Sequence, residues 1–231
     1  MKPICVIPAR GGSKGIPRKN IRKILGKPLI AYTIDKSLKS KIFSHVIVST
    51  EDQEIADISK KFGAEIPFMR PKKLAKDTTS MVEVLLHAVT KLNSLGYDFD
   101  IFVNRDCTVP FIQNSDIRAS INLLKRKRCN AVYGVYLQHF NPYFNMVEIG
   151  EGGYLEFSKK TKIKPTRRQD AKKVFQLNGL FTYKTQEFLK YKNQFPPKGL
   201  PILIPPESGI MIDTELEFKT VEMMFKQKMM K

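Results

Sequence analysis

Arg10-Gly11-Gly12-Ser13-Lys14-Gly15 places three glycines, a hydroxyl and two cations directly behind the apolar run "ICVIPA". Glycines let backbone N–H groups approach an anion closely, and cations beside them neutralise its charge. The chemistry this suggests is a phosphate cradle. No Gly-Lys-Ser/Thr closes a Walker A pattern, and the spacing is not G-x-G-x-x-G. Pro17 forbids a helix through the loop, so an extended loop is expected. Arg18 and Lys19 follow it and read as solvated or loop-holding. The competing reading is a glycine turn with incidental cations.

A loop of this kind works where a parallel sheet opens, beyond the carboxyl ends of its strands. The chain supplies such a sheet. Apolar runs at 4–9, 45–50, 100–104 and 131–137 read as strands, and helical spacing marks 29–38, 51–62 and 116–125. Glu65 to Phe68 is a short strand candidate. Ser80 with Glu83 makes a capping-box pattern at the head of another helix. Gly63 is a stop signal. After residue 137 the alternation breaks into a glycine-turned hairpin at 148–157 and a basic stretch at 158–170. Strand pattern returns at 174–183 and 201–205, with helices near 186–191 and 214–226. Repeated strand–helix units predict a three-layer α/β/α fold around a mostly parallel sheet. A single domain is expected over residues 1–231, with an insert at about 139–173.

A length of 231 residues and 42% hydrophobic content suit one globular domain. No segment approaches the roughly 18 apolar residues of a membrane span. The opening residues lack a signal-peptide layout, so a soluble, cytoplasmic protein is expected. Cys5, Cys107 and Cys129 are an odd set without a CxxC pair, which argues for free thiols rather than disulfides or zinc. The net charge of +18 admits nucleic acid, an anionic surface or an anionic small substrate. No nucleic-acid motif accompanies it, so nucleic-acid binding is not expected. "LKRKR" at 124–128 reads as a solvated helix end, where cations suit the dipole.

The segment "IPARGGSKGIPRKNI", followed by "GKPLIAYTI", resembles the start of the acylneuraminate cytidylyltransferases. "VIVSTEDQEIADISKKFGAEIPFMRP", "LAKDTTS", "NPYF", "RRQD", "FQLNG" and "IDTELEFK" resemble later segments of that family in order. The resemblance covers nearly the whole chain. It implies a Rossmann-like nucleotidyltransferase that joins CTP to a nonulosonic, sialic-acid-like sugar acid and releases pyrophosphate. Mg²⁺ (or Mn²⁺) is the implied cofactor, and the insert is implied to be a dimerisation element, giving a homodimer. Carried over residue by residue, nucleotide binding falls on Arg10, Gly11, Gly12, Ser13, Lys14, Asn20, Arg70 and Ser80. Lys14, Arg10 and Asp213 are the implied catalytic residues. Ser80 has its helix cap as an alternative role. Arg168 suits the sugar carboxylate, with Gln169, Gln176 and Asn178 toward the sugar.

Two positions depart from the family pattern. Met211 stands where the family's last motif, Asp-Ile-Asp-Thr-Glu, has its first aspartate. A thioether is a poor ligand for a hard cation, so Met211 is not expected to bind Mg²⁺. Thr214 with Glu217 forms its own capping-box pattern, which leaves Asp213 available to a metal. Asp106, in "NRDCTVP", occupies a position where the family has glutamine in Leu-Gln-Pro-Thr-Ser-Pro. One reading is that Asp106 and Asp213 share the metal. The other is that Asp106 bonds the substrate or pairs with Arg105.

Two rivals stay open on these residues. One is another sugar nucleotidyltransferase, acting on a Kdo-like acid or a sugar phosphate. The other is a non-catalytic nucleotide- or nucleic-acid-binding module, suggested by the charge.

Overall fold

A computed structural model describes residues 2–162 and 165–229. In chain order the elements are β1 (Ile4–Pro8), β2 (Lys23–Ile24), β3 (Lys27–Pro28), α1 (Leu29–Lys39), β4 (Val46–Ser49), α2 (Gln53–Lys61) and α3 (Met81–Ser94). Then come β5 (Ile101–Arg105), α4 (Asn114–Arg126), β6 (Ala131–Leu137), β7 (Val147–Ile149) and β8 (Leu155–Phe157). The chain closes with β9 (Phe175–Lys184), α5 (Thr185–Tyr191), β10 (Gly199–Leu203) and α6 (Glu215–Met229).

The apolar runs are strands buried on both faces, so their alternate side chains serve two cores. Cys5 and Ile7 of β1 face one layer with Ile30 and Ile34 of α1, Ile55 of α2 and Ile117 of α4. Ile4 and Val6 face the other with Leu85, Val89 and Leu92 of α3 and Phe188 of α5. The expected three layers therefore form. The six-stranded sheet runs β10-β6-β9-β5-β1-β4. Five strands point one way, and β9 runs antiparallel to both β5 and β6. The reason is the missing crossover. The described residues between 138 and 174 hold only the β7–β8 hairpin and short turns, outside the main sheet. With no helix to carry the chain back, β9 enters from the end where β6 left.

Smaller differences have local causes. Glu65 makes only an isolated bridge to Ile47 and begins no strand. The two-residue β2–β3 ladder, which no periodicity announced, is antiparallel and turns through Gly26 at φ +80°. Ser80 does cap α3, giving and receiving the capping-box bonds with Glu83. The three cysteines are free and buried. Among the described residues no helix is long and apolar enough to cross a membrane.

A third cluster sits beside the sheet. Ile16, Ile24 and Leu29 pack with Ile212, Phe218 and Val221. It fastens the glycine loop to the segment that starts α6. Arg22 strengthens the joint: it lies 4.2 Å from the centre of the Phe218 ring and pairs with Glu215.

Arg105 at the end of β5 is a cost within this core. It is fully buried, donates to Ser37 Oγ at 3.2 Å, and its Nε and Nη2 have no protein partner. It does not pair with Asp106. Burial pulls its pKa below the ordinary arginine value, against the fields of Cys5 and Asp116. An uncompensated buried charge is destabilising, so Arg105→Met should raise stability by about 1–4 kcal/mol. At about 2–4 °C per kcal/mol for a chain of this size, a thermal melt detects it. An unchanged or lower Tm contradicts this.

Candidate active site

The carboxyl ends of β1 and β5 open into a cleft of ≈ 300 Å³. The glycine loop forms one wall, residues 74–79 form another, and Asp106, Cys107 and Thr108 form the floor. Arg10, Gly12, Ser13, Asn20 and Arg70 all line it, as does Asp106.

The loop glycines divide their work. Gly11 sends its N–H to Glu51 Oε1 at 2.7 Å, so this donor is committed inside the protein. A Cβ on Gly11 would lie 2.3 Å from Asp52 Oδ2, and one on Gly15 would lie 2.3 Å from the Asp213 carbonyl oxygen. These two glycines allow close packing. Gly12 alone of the three has open space around a Cβ position.

The cations are set by carboxylates. Arg10 and Lys14 both reach Asp77, at 2.8 and 2.9 Å. Arg18 holds the loop to Asp52 and Glu54, each at 2.5 Å, and its guanidinium keeps the Asp52 carboxyl below the usual range. Lys19 is the loop-holding lysine rather than the solvated one. It lines the cleft, and its Nζ donates to the Ile212 carbonyl at 2.7 Å and to Asp213 Oδ1 at 2.9 Å. Arg70 is 4% exposed, with Nη2 on Glu51 Oε2 at 2.6 Å and on the Ala9 carbonyl at 3.2 Å. Its buried Nε has no protein partner. Asn20 spans the floor, donating to the Arg10 carbonyl at 2.9 Å and accepting from Cys107 Sγ at 3.1 Å. Burial pushes the Cys107 thiol pKa up, so it stays protonated.

Asp106 is held by its surroundings. Its Oδ1 accepts from the Thr108 N–H at 2.9 Å and hydroxyl at 2.8 Å, and its own N–H donates to the Gly179 carbonyl at 3.0 Å. Gly179, at φ +77°, leaves only 2.7 Å between a Cβ position and Asp106 Cβ. The Ile212 N–H donates to the Thr108 carbonyl at 3.0 Å, which laces the Asp213 segment to the Asp106 turn. Thr214 and Glu217 form the expected capping box, so Asp213 is not the cap. Met211 packs against the core, as a thioether should.

The chain matches the family described as Cytidylyltransferase over residues 4–228. It belongs to the cytidylyltransferase family. This cytidylyltransferase is 35% identical over 230 residues to post-translational flagellin modification protein B of Campylobacter coli, covering 97% of the chain and 95% of the relative. It is 33% identical to a CMP-N,N'-diacetyllegionaminic acid synthase of Campylobacter jejuni, with 97% and 95% covered. It is 32% identical to a pseudaminic acid cytidylyltransferase of the same species, with 96% of each chain covered. The solved structure of a CMP:2-keto-3-deoxy-manno-octonic acid synthetase complexed with CTP shares its fold, at TM-score 0.72 and 19% identity, over 99% of this chain and 100% of that one.

Two sets of sequence candidates lie apart from the cleft of this cytidylyltransferase. Arg168 and Gln169 are exposed in the insert, where Arg168 Nη1 is 3.5 Å from His139 Nδ1. Gln176 accepts from Gln138 Nε2 at 2.6 Å on the exposed end of β9. Arg167 is spent on Asp170 at 2.9 Å. Asn178 lies apart as well. It is fully buried over Gly134, its Oδ1 accepts from the Leu180 N–H at 3.3 Å, and Nδ2 has no partner. It sits opposite the β6–β9 register shift between Tyr133 and Val135 and does not line the cleft.

Ser80 also stands outside the lining, between Thr79 and Met81, which contribute to it. Its hydroxyl accepts from the Glu83 N–H at 3.3 Å. Ser80→Ala should therefore cost about 1 kcal/mol. CTP affinity should stay within about twofold by calorimetry, since a change of about 1.4 kcal/mol would be tenfold. A tenfold loss would make the hydroxyl a ligand.

A divalent cation is part of what this family membership implies. Among the described residues no group of three His, Cys, Asp or Glu side chains could hold a metal. The carboxylates of Asp106 and Asp213, laced together at the cleft, are hard oxygen donors of the kind a divalent cation takes.

Proposed function

We propose that this enzyme transfers a cytidylyl group from CTP to a nonulosonic sugar acid, releasing pyrophosphate. The carrying observation is the convergence of Arg10, Lys14, Lys19 and Arg70 around one cleft, with Asp106 in its floor and Asp213 bonded to Lys19 beside it. The names of the 33% and 32% identical relatives support the acceptor class.

The sugar's anomeric hydroxyl attacks the α-phosphorus and gives its proton to solvent, while the Pα–O bond to the bridging oxygen breaks and that oxygen leaves on pyrophosphate. Charge builds on the phosphate oxygens during this step. Lys14, a mobile point charge, suits those oxygens, and Arg10 and the Gly12–Ser13 backbone suit the phosphates beside them. Arg70, which lines the cleft, adds a fixed positive charge beside the nucleotide. Mg²⁺, held by Asp106 and Asp213, would neutralise triphosphate charge. Arg168 and Gln169 would meet the sugar acid from the insert, with Gln176 from the end of β9. The insert also carries exposed Phe140, Ile149, Tyr154 and Leu155, a patch suited to a second copy of the chain in a homodimer. Three buried free thiols suit a reducing cytoplasm.

The test is pyrophosphate release with CTP, Mg²⁺ and a panel of legionaminate, pseudaminate, N-acetylneuraminate and a Kdo-like acid. CTP is expected to outperform UTP and ATP. Release with only the Kdo-like acid would replace the proposed acceptor. No release with any acid would leave a binding module.

A further inference from the structure

Arg10 and Lys14 share one carboxylate. Asp77 Oδ1 takes Arg10 Nη1 at 2.8 Å, and Asp77 Oδ2 takes Lys14 Nζ at 2.9 Å. One negative group thus engages both cations with separate oxygens, as two oxygens of a phosphate would. Asp77 lines the cleft itself, on the strap that also contributes Leu74, Lys76 and Thr79. The Lys14 hydrogen bond, with the charges of both cations, holds its carboxyl below the ordinary range, so it is ionised at neutral pH.

We infer that Asp77 is a built-in competitor for phosphate, which an incoming nucleotide must displace from Arg10 and Lys14, moving the 72–79 strap with it. The inference rests on the nucleotide reading above. A carboxylate left beside a polyphosphate would set like charges against each other at close range. The side chains of the two ion pairs that must open are 37–80% exposed, and such pairs are weak. The strap is built to move between fixed ends. The Arg70 N–H is tied to the Thr50 carbonyl at 2.8 Å at one end, and the α3 capping box secures the other. Between them the bonds are internal: Leu74 N–H to Pro71, Thr79 N–H to Lys76 and the Thr79 hydroxyl to Lys73. Asp77 supplies both ion pairs from the strap to the glycine loop. Re-forming those pairs would also help expel pyrophosphate.

The sign of one substitution decides the matter. A competitor weakens binding, so Asp77→Asn should bind CTP and inorganic tripolyphosphate more tightly, by about fivefold in calorimetry with EDTA present. Asp77→Glu, which keeps the charge, should remain near wild type. If Asp77 instead only orients the two cations, Asp77→Asn binds equally or more weakly, and the inference is overturned while the nucleotide reading stands. If the wild type binds neither CTP nor tripolyphosphate, the nucleotide reading falls and the inference with it. Motion has its own readout. The native cysteines are buried, so a fluorophore on T78C labels the exposed strap selectively. CTP should change its emission with Asp77 present and not in the D77N background. Binding of CTP without any change in the Asp77 background overturns displacement.

Discussion

Asp213→Asn and Asp106→Asn each lower pyrophosphate release by about 10²–10³-fold and raise the Mg²⁺ concentration needed for half-maximal rate. The two carboxylates come from segments that the Ile212–Thr108 hydrogen bond laces together. Asparagine keeps an oxygen for the Thr108 N–H and hydroxyl, so the Asp106 turn should survive and melting should change little. What disappears is the charge that a dication needs. Lys19 sharpens the expectation at Asp213, since its Nζ already sits on Asp213 Oδ1. Replacing that carboxylate frees a cation beside the phosphates. Metal-free CTP binding should therefore hold or tighten while turnover collapses. A metal titration of both variants, with calorimetry in EDTA, separates the two effects. Unchanged metal dependence in Asp106→Asn would sink the shared-metal assignment and leave Asp106 as a substrate contact.

The legible parts of the molecule are those in which neighbouring residues decide the outcome. The strand at Ile4 and the caps at Ser80 and Thr214 follow from apolar runs and from spacing of three. The glycine loop reads as an anion site from its local residue types, and the structure puts it in the wall of the cleft. Lys19 was not, because its partner Asp213 is 194 positions away and no local pattern reports such a meeting. Asp77 was hidden similarly: it is one carboxylate among lysines until the fold brings Arg10 and Lys14 onto it. Glu51 was hidden too, because its charge reads as helix entry until Gly11 and Arg70 bond to it. The burial of Asn178 was hidden by parity: a strand gives each side chain a predictable face only while its register is regular, and a shift lies beside Gly134. The direction of β9 needed a different clue, the lack of any helical pattern between β6 and β9.

Gly15→Ala is expected to cost at least about 10²-fold in turnover, although position 15 need not touch substrate. A methyl group there would lie 2.3 Å from the Asp213 carbonyl oxygen, so something must move by about an ångström. The Asp213 side cannot easily yield. Ile212 is fully buried, its N–H is bonded to Thr108, and its carbonyl accepts Lys19 at 2.7 Å. Behind the loop, Ile16 is fully buried against the same cluster. The strain therefore passes to Ser13 and Lys14, which the proposed reaction sets against the phosphates. Displacement of catalytic groups by about 1 Å is enough for a hundredfold loss. Overpacking should also cost about 1–3 kcal/mol, seen as a lower Tm. Gly12→Ala is the matched comparison. No atom lies within 4 Å of a Cβ there, so its melt should equal wild type, and any loss should fall on nucleotide affinity alone. If Gly15→Ala keeps its turnover within about threefold, well short of a hundredfold loss, the close approach of loop and Asp213 is not what sets Lys14 in place.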